Sequence, residues 1–449
     1  MTAGAALYTD YYELTMAEAY LAGGLADERA TFSLFARRLP HRRNYLIACG
    51  LDEVLTHLER LRFSASDLDY LRSLGTLSAR LLTHLRELCF EGEVRAPAEG
   101  TPIFADEPLV EIDAPIIQAQ LVETYLMNAI TAQTALASKA SRIVTAAAGR
   151  PVLDFGLRRG HGGEGGVRAA RAYHVAGISA TSNVLAGARY GLPISGTMAH
   201  SYVQAHSSEG DAFRSFLRAF PDTILLVDTY DTLAGVRRVI EIARELGSDF
   251  RARGVRLDSG DLSGLSREVR RLLDRAGLER MQILASGGLD EDGIATIVAS
   301  GAPIDGFGVG ASLAMSTDAP TIDTAYKLSE FGGEGRMKLS SGKATRPGRK
   351  QVSRQREAGI SSRDVIARAS ETPDGEPLLW PVMRAGKRCA GDATELEASR
   401  ARCRREVAAL PARIRSLAPA DPPYPVDVSP GLAEYTEQIA AKVSPPPRR

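Results

Sequence analysis

The sequence predicts an α/β protein in which a barrel of parallel strands and helices adjoins a second α/β domain. From about residue 150, short apolar runs end in small or polar residues, and helical sequence follows each run. Seven runs occupy residues 151–156, 176–183, 193–200, 223–230, 254–261, 282–288 and 304–310, and AYKL (325–328) is an eighth candidate. Alternation of strands and helices predicts a parallel sheet, and close to eight repeats predict a barrel.

The N-terminal region begins with a readable helix. Asp10 is a candidate N-cap with Glu13 as its capping-box partner. The apolar stripe of this helix consists of Leu14, Ala17 and Leu21. Gly23 is expected to end the helix. Residues 30–37 alternate apolar and polar side chains, which predicts a strand.

The remaining sequence completes a division into three segments. Residues 50–90 and 118–145 are typical of helices, whereas residues 93–117 contain short β-like runs broken by Pro and Gly. The predicted segments are an N-terminal α/β domain (1–145), a barrel with the catalytic face (146–344), and a C-terminal segment (345–449) that packs with the N-terminal domain and ends in a disordered tail.

Composition excludes several classes of protein. The 449 residues include 55 basic and 55 acidic side chains, and this balance argues against a dedicated nucleic-acid or membrane-surface binder. The four cysteines are far apart, so a disulfide framework or zinc site is not expected. The N-terminus lacks the pattern of a signal peptide, and no apolar run reaches the length of a membrane span. We expect a cytoplasmic protein.

The most informative segment is GTMAHS, which follows the apolar run that ends near Ile194. It places Thr197, His200 and Ser201 where a strand ends and a loop begins. A neutral imidazole is abundant near its unperturbed pKa of about 6.5, so His200 can act as a nucleophile there. Taken alone, such a histidine is more often a structural hydrogen-bonding group.

Two glycine-rich strand ends suggest a phosphate site. They are Ser286-Gly287-Gly288 and Gly308-Val309-Gly310, which close two successive strands late in the repeat series. Glycine lets backbone N–H groups approach an anion, and late loops of a barrel commonly hold phosphate. The alternative is a pair of tight strand-to-helix turns.

Charged residues mark the ends of other strands. Arg158 follows the run PVLDFG, and Arg256 and Asp258 lie two positions apart, on one face of a strand. A charge that points into a barrel needs a partner or a ligand, although a purely architectural ion pair is the alternative. Asp228 and Asp261 are candidate Mg²⁺ ligands beside the phosphate site. Asp154 and Thr229 also stand at strand ends, without an assigned role.

Together these segments resemble the nicotinate phosphoribosyltransferase family over nearly the whole chain, from about Tyr8 to residue 415. The resemblance rests on motifs that occur in one order: TDYYELTMA, FSLFARRLP, YLIACGLDEVL, EGEVRAPAEG, PLVEIDAPIIQAQLVET, DFGLRRGHG, AGISATSNVLAG, GTMAHSYVQA, LLVDTYDT, GVRLDSGDL, ILASGGLDE, FGVGASL, YKLSE and KATRPGRKQ. An ordered set of this size is far more specific than any single motif.

The resemblance implies an irregular α/β barrel of the type II phosphoribosyltransferase kind beside an α/β sandwich domain. It implies that nicotinate and phosphoribosyl pyrophosphate give nicotinate mononucleotide and pyrophosphate, with ATP hydrolysis coupled through a phosphohistidine at His200. It also implies a homodimer in which Tyr12 stacks on nicotinate in the neighbouring subunit's site. The other implied substrate contacts are Phe155, Arg158, Thr197, Ser201 and Arg256. Asp258 is a candidate to stabilise cationic character at the ribose.

Two departures from the family pattern and three competing interpretations stay open. The loop HGGEGG after Arg159 is richer in glycine than the family pattern leads us to expect. Ala311 stands in GVGAS where relatives often have threonine, a loss that Ser312 or backbone N–H groups could cover. Nicotinamide or quinolinate phosphoribosyl transfer would use the same fold. A non-catalytic sensor of nucleotide precursors would not need His200. A phosphosugar aldolase would need a Schiff-base lysine, for which Lys327 is the only candidate in the strand set.

Overall fold

The computed structural model describes residues 5–340 and 345–443, and these divide into two compact units. The first unit combines Met1–Ala135 with Thr321–Arg449, and the second is Leu136–Pro320. The C-terminal segment thus clusters with the N-terminal region, although the predicted boundaries at 145 and 344 differ from these limits. The tail predicted to be disordered lies outside the described residues.

The N-terminal part of the first unit contains the helix, strand and helical stretches that the sequence predicts. Its elements are α1 (Tyr11–Ala22), β1 (Arg29–Ala36), β2 (Leu46–Ile47), α2 (Leu51–Glu59), α3 (Ala65–Ser73), α4 (Ala79–Glu87), β3 (Glu93–Ala96), β4 (Pro102–Ile103), β5 (Pro108–Pro115) and α5 (Ile116–Leu121). Helix α6 (Glu123–Ala146) begins in the first unit and ends in the second. The α1 stripe of Leu14, Ala17 and Leu21 is buried, as predicted.

The predicted capping box at α1 is wrong. The Asp10 side chain makes no hydrogen bond to the helix N-terminus. Instead, the Thr124 hydroxyl lies 2.9 Å from Asp10 Oδ2, and the Thr124 backbone N–H donates to Glu13 Oε1 at 3.0 Å. Thr124 is more than a hundred residues away in sequence, so a local pattern could not reveal that it donates hydrogen bonds to both carboxylates.

The second unit is built around a parallel sheet. Its elements are β6 (Val152–Asp154), α7 (Gly162–Val175), β7 (Ala180–Thr181), α8 (Val184–Tyr190), α9 (His200–Gln204), α10 (Glu209–Ala219), β8 (Ile224–Leu226), α11 (Thr232–Leu246), β9 (Gly254–Leu257), α12 (Leu262–Arg275), β10 (Gln282–Ala285), α13 (Glu291–Ala299), β11 (Gly306–Val309) and α14 (Ala311–Met315). The strand order is β7-β6-β11-β10-β9-β8, and every pairing is parallel.

Six of the eight predicted strands belong to this sheet. The run at 193–200 contributes a single parallel bridge, from Ile194 to Thr181, in place of a strand. Pro193 removes a backbone donor and Gly196 adds chain freedom, which explains why the pairing stops so early. The result is a half-barrel of parallel strands.

The C-terminal part of the first unit is mostly antiparallel. It contains β12 (Thr324–Phe331), β13 (Glu334–Gly335), β14 (Lys350–Glu357), β15 (Ile360–Arg368), β16 (Glu376–Pro377), β17 (Trp380–Arg384), β18 (Lys387–Arg388), α15 (Leu396–Ala408), α16 (Ala412–Arg415), β19 (Val426–Val428) and α17 (Pro430–Val443). A seven-stranded sheet has the order β13-β12-β1-β5-β3-β17-β18, and β14 and β15 form the centre of a four-stranded sheet.

The assignment of AYKL (325–328) to the barrel is wrong. These residues lie in β12, which pairs antiparallel with β1 in the first unit. The ring of Tyr326 stacks on Phe32 with centroids 4.8 Å apart, and its hydroxyl donates to the Ala119 carbonyl at 2.7 Å. A short apolar run does not say which sheet it will join, because the partner strand is nearly three hundred residues away.

Among the described helices, none combines the length and apolar character needed to cross a membrane.

Candidate active site

The predicted site residues of the second unit converge at one edge of the parallel sheet. Adjacent parallel strands end in register there: β9 runs alongside β10, with Arg256 opposite Leu284, and alongside β8, with Arg256 opposite Leu226. The segments that follow these strands therefore emerge side by side. This is the edge at which α/β barrels place their chemistry.

Arg256 is the centre of the cluster. Its Nη1 donates to Asp258 Oδ1 and to Ser286 Oγ, both at 3.0 Å. Its Nη2 donates to the Met198 carbonyl at 2.8 Å, which ties the GTMAHS segment to β9. The predicted placement of Arg256 and Asp258 on one strand face is confirmed by this contact.

Arg256 is largely buried, with its side chain 12% exposed. The guanidinium lies over the ring of Phe155, 5.9 Å from the centroid. Burial lowers the pKa of Arg256, and the carboxylates of Asp258 and Asp228 only partly oppose this effect. A further anion at this guanidinium would therefore be stabilised electrostatically.

His200 is the first residue of α9 and stands beside this pair. Its Nδ1 lies 3.1 Å from Thr229 Oγ1, and its Nε2 lies 3.8 Å from Asp258 Oδ2. The His200 side chain is 41% exposed, so a ligand can reach the ring. A hydroxyl and a carboxylate flank the two nitrogens, and such neighbours set the tautomer of a histidine.

Asp228 braces the loop that carries Asp258. Its Oδ2 accepts hydrogen bonds from the Asp258 backbone N–H at 2.9 Å and from Ser259 Oγ at 2.6 Å. Ser286 Oγ in turn donates to Asp258 Oδ1. Asp258 is thus held by groups from its own strand and from the two neighbouring strands.

Three buried polar atoms of this cluster have no hydrogen-bond partner among the described residues. They are Thr197 Oγ1, Asp228 Oδ1 and Arg256 Nε. Buried polar groups are nearly always paired, and leaving one unpaired costs about 1–3 kcal/mol. One acceptor oxygen, one hydroxyl and one charged donor without partners are typical of a site that is completed by a polar ligand.

The glycine-rich strand ends have a packing requirement of their own. Gly287 has φ +87°, and a Cβ on it would lie 1.8 Å from the Asp258 carbonyl oxygen. A Cβ on Gly308 would lie 2.4 Å from the Phe155 ring. By contrast, a Cβ on Gly288 would meet no atom within 4 Å, and a Cβ on Gly310 would lie 3.6 Å from the Phe155 carbonyl oxygen, an ordinary van der Waals contact. The phosphate role of these glycines stays a prediction.

Among the described residues, the other predicted site residues make no hydrogen bond or ion pair with Arg256, Asp258 or His200. Arg158 and Ser201 are exposed, Arg158 in a 3₁₀ turn after β6 and Ser201 in α9. Asp261 caps α12 through a hydrogen bond from the Gly264 N–H at 3.1 Å. Ala311 is exposed at the start of α14, and Ser312 Oγ lies 3.4 Å from Thr317 Oγ1.

The carboxylates fit Mg²⁺ unequally. Asp228 Oδ1 is a hard oxygen donor without a partner, which suits the ion, whereas Asp261 is engaged as a helix cap. Within residues 5–340 and 345–443, no group of three or more His, Cys, Asp or Glu side chains is arranged to hold a metal. An ion here would therefore need ligand oxygens from a substrate.

Tyr12 lies in the first unit, at the start of α1. Its side chain is exposed. Burial of the hydroxyl and the nearby carboxylates of Glu123 and Glu13 raise the pKa of Tyr12 above its ordinary value. The phenol is therefore a neutral donor.

Sequence reasoning places Thr229 at a strand end but assigns it no role, and the structure shows its hydroxyl beside His200. Sequence reasoning misses the Met198 carbonyl, which holds Arg256. The role of a backbone carbonyl leaves no trace in residue type.

Comparison with known proteins agrees with this architecture. Residues 7–131 match the model of the nicotinate phosphoribosyltransferase (NAPRTase) N-terminal domain, and residues 151–361 match the model of the nicotinate phosphoribosyltransferase (NAPRTase) family. The chain is 51% identical over 424 residues to nicotinate phosphoribosyltransferase pncB2 of Mycobacterium tuberculosis, covering 94% of this chain and 91% of the relative.

Two further relatives extend the comparison. Nicotinate phosphoribosyltransferase of Bacillus subtilis is 41% identical over 355 residues, covering 78% of this chain and 72% of the relative. The crystal structure of human nicotinic acid phosphoribosyltransferase superimposes with a TM-score of 0.86 at 28% identity, covering 96% of this chain and 99% of that chain. The chain belongs to the nicotinate phosphoribosyltransferase family.

Proposed function

We propose that this protein joins nicotinate to phosphoribosyl pyrophosphate, forming nicotinate mononucleotide and pyrophosphate, and that it couples this reaction to ATP hydrolysis through a phosphohistidine at His200. Family membership supports the transferase activity. The observation that carries the site assignment is the set of three unpaired buried atoms beside His200, namely Thr197 Oγ1, Asp228 Oδ1 and Arg256 Nε.

In this proposal, nicotinate occupies the space beside Arg256 and Phe155. Its carboxylate accepts from Arg256 Nε and from the Thr197 hydroxyl, which removes both unpaired donors. The charge on the guanidinium favours the acid over a neutral amide, because a charge-assisted hydrogen bond is about twice as strong as a neutral one. This favours nicotinate over nicotinamide.

The glycosidic bond forms when the nicotinate ring nitrogen attacks C1 of the ribose and pyrophosphate leaves. Asp258 stabilises the positive charge that develops at the ribose, because its carboxylate is held rigidly by Arg256, Ser286 and the loop that Asp228 braces. A bound Mg²⁺, held by Asp228 and by phosphate oxygens, would neutralise charge on the leaving pyrophosphate. The Ser286–Gly288 and Gly308–Gly310 backbones would hold the donor's phosphate.

His200 would link ATP to this reaction. The ring nitrogen that carries no proton attacks the γ-phosphorus, the bond to the bridging oxygen breaks, and ADP leaves. The new phosphate changes the local charge by about two units beside Arg256, and its later hydrolysis releases the product.

The activity is tested by product analysis. The purified protein is incubated with phosphoribosyl pyrophosphate and nicotinate, nicotinamide or quinolinate, with and without ATP. Nicotinate mononucleotide with stoichiometric pyrophosphate is expected only from nicotinate, at a rate that ATP raises. Release of carbon dioxide from quinolinate, or equal rates with acid and amide, would contradict the proposal. Binding without turnover of any of the three would support a sensor.

The phosphohistidine is tested with γ-labelled ATP. The label should be acid-labile and base-stable on the unmodified protein and absent from His200→Asn. His161→Asn is the matched control, because His161 is exposed beside Arg158–Arg159 and makes no side-chain cap bond to α7. Equal labelling of the His200→Asn protein would overturn the assignment.

We also propose a homodimer in which Tyr12 completes the neighbouring subunit's site. Mixing an inactive Tyr12→Ala protein with an inactive His200→Ala protein should restore part of the activity through mixed dimers. A fully active monomer at micromolar concentration would contradict this.

A further inference from the structure

A buried ion cluster in the second unit joins α6 to the segments that follow β10 and β11. The Nζ of Lys139, in α6, lies 2.5 Å from Glu291 Oε2 and 3.0 Å from Asp318 Oδ1. Arg142 Nε donates to the other carboxylate oxygen of Glu291 at 3.0 Å. The side chains of Lys139 and Glu291 are 2% exposed, and that of Asp318 is 9% exposed. One ammonium group therefore bridges two carboxylates where solvent hardly reaches.

Both bridged carboxylates stand close in sequence to the glycine-rich strand ends. Glu291 is the first residue of α13 and comes three positions after Gly288. Asp318 comes three positions after the end of α14, and α14 begins directly after Gly310. The strands β10 and β11, which lead into the two segments, are parallel neighbours in the sheet. Lys139 thus links the two segments after they leave the sheet.

We propose that Lys139 is a positioning residue for the phosphates of the donor: by bridging Glu291 and Asp318, it fixes the spacing between the two glycine-rich strand ends. This inference rests on the proposed function, because it takes these strand ends to hold the phosphates of phosphoribosyl pyrophosphate. Lys139 acts through the two segments and does not contact substrate, since its side chain is buried.

The glycine-rich strand ends need such support, because their own residues restrain them little. Gly287 and Gly288 both have positive φ, and a Cβ on Gly288 would meet no atom within 4 Å. Glycine has more conformational freedom than any other residue, and binding is weakened when that freedom is lost as N–H groups close on an anion. A link between the two segments removes part of this freedom before the ligand arrives.

The cluster also neutralises negative charge at the start of α13. Asp290, Glu291 and Asp292 place three carboxylates in succession there. Negative side chains beside a phosphate-binding segment repel the ligand. Lys139 and Arg142 both contact the Glu291 carboxylate, so this residue adds no net negative charge beside the segment. Loss of the Lys139 ammonium would therefore disturb both the spacing and the charge.

Kinetics and calorimetric titration with phosphoribosyl pyrophosphate test this role in Lys139→Met and Asp318→Asn. Lys139→Met should raise KM and Kd for phosphoribosyl pyrophosphate roughly tenfold, the value of one charge-assisted hydrogen bond. Asp318→Asn should raise them roughly threefold, because it weakens the bridge and leaves both contacts of Glu291 in place. KM for nicotinate should change little in both variants, because Arg256 belongs to β9.

A double variant separates positioning from stability. Lys139→Met/Asp318→Asn removes the charged carboxylate that faced the ammonium, so its free energy of unfolding should exceed that of Lys139→Met. It does not restore the bridge, so KM for phosphoribosyl pyrophosphate should stay raised. The matched control is Arg354→Met/Asp364→Leu, which removes a buried ion pair of the first unit and should leave this KM unchanged. If Lys139→Met does not fold, Asp318→Asn and the double variant decide the result.

Failure of the inference and failure of the proposed function give different results. If the unmodified protein does not convert nicotinate, the proposed function is overturned, and the role of Lys139 with it. If it is active but the folded variants keep the KM of the unmodified protein for phosphoribosyl pyrophosphate, only the role of Lys139 is overturned. Equal rises in KM for both substrates, or a KM that recovers with stability in the double variant, would show a structural role and also overturn the inference.

Discussion

Two arginine–aspartate pairs, one in each unit, use the same chemistry for different ends. In the four-stranded sheet, Arg354 of β14 faces Asp364 of β15, and both side chains are 0% exposed. At the parallel strand ends, the Arg256 side chain is 12% exposed and the Asp258 side chain 33% exposed. The first pair is closed to ligands and the second is open.

Their hydrogen bonds differ in the same sense. Arg354 donates from Nε to Asp364 Oδ1 at 2.9 Å and from Nη2 to Oδ2 at 2.6 Å, and Tyr424 adds its hydroxyl to the same carboxylate at 2.9 Å. Arg256 makes one bond to Asp258, from Nη1, and shares that nitrogen with Ser286. A bidentate pair fixes geometry. Each guanidinium keeps one unpaired nitrogen, Arg354 Nη1 and Arg256 Nε, but only the Arg256 nitrogen belongs to a pair whose carboxylate is partly exposed.

The electrostatic balance separates them further. Burial lowers the pKa of Arg354, but Asp364 and Glu107 outweigh it, and the net pKa lies above the ordinary value. Burial also lowers the pKa of Arg256, and there the carboxylates do not restore it. Both arginines stay protonated at neutral pH. The carboxylates around Arg354 therefore satisfy its charge, whereas the charge of Arg256 can still be stabilised by a further anion.

The largest expected effect breaks the closed pair. Arg354→Met leaves Asp364 buried without its cation and should lower the free energy of unfolding by about 3–5 kcal/mol. Denaturant unfolding measures this. The double variant Arg354→Met/Asp364→Leu should regain most of the loss, because it removes the isolated charge. A single variant as stable as the unmodified protein would contradict this account of the pair.

Breaking the open pair should affect binding more than folding. Arg256→Ala should weaken nicotinate binding by about 2–4 kcal/mol, the range for loss of a desolvated charge partner, and change the unfolding free energy less than Arg354→Met does. Calorimetric titration and denaturant unfolding on the same sample measure both. A loss of stability equal to that of Arg354→Met, with unchanged affinity, would assign Arg256 an architectural role.

Glu13 differs from the aspartates of both pairs, because it is a buried carboxyl whose hydrogen-bond donors are neutral rather than cationic. Burial raises the pKa of Glu13 to about 7, although hydrogen bonds from Thr124 and Thr9 oppose this. The protonated form is favoured in the folded state, so the stabilisation is present below the unfolded pKa of about 4.3 and is lost as pH rises through 7.

The unfolding free energy should therefore decrease between pH 4 and pH 8, and in Glu13→Gln this decrease should be smaller by about 2 kcal/mol. Denaturant unfolding across this range measures the slope. Glu334→Gln is the control, because Glu334 is exposed and paired with Lys442. An unchanged slope in Glu13→Gln would show that Glu13 titrates normally.

The smallest expected effect concerns the strand end beside Asp258. Gly287→Ala and Gly288→Ala both meet a positive φ, which costs about 1–2 kcal/mol in each case. Only the Gly287 substitution also contacts the Asp258 carbonyl, so only it should move Asp258 and lower kcat. Equal kcat values for the two variants would show that this approach does not position Asp258.

Much of the open site could be predicted from the sequence. Parallel strands end at one edge, and a strand repeats its facing every two residues, so Arg256, Asp258 and Ser286 could be placed together from the sequence. His200 lies beside them although its run, 193–200, contributes one bridge and no strand. The family could also be identified from the sequence, because the order of its motifs along the chain is visible there.

The Arg354–Asp364 pair and the contacts that the sequence predicted wrongly could be known only from the tertiary structure. Nothing local says that Arg354 will meet Asp364, that Thr124 will occupy Asp10 and Glu13, or that AYKL will pair with β1. Each of these contacts joins groups that the chain brings together only by folding. Periodicity determines which face a residue takes within its own element, whereas its partner is decided by the packing of elements that are distant in sequence.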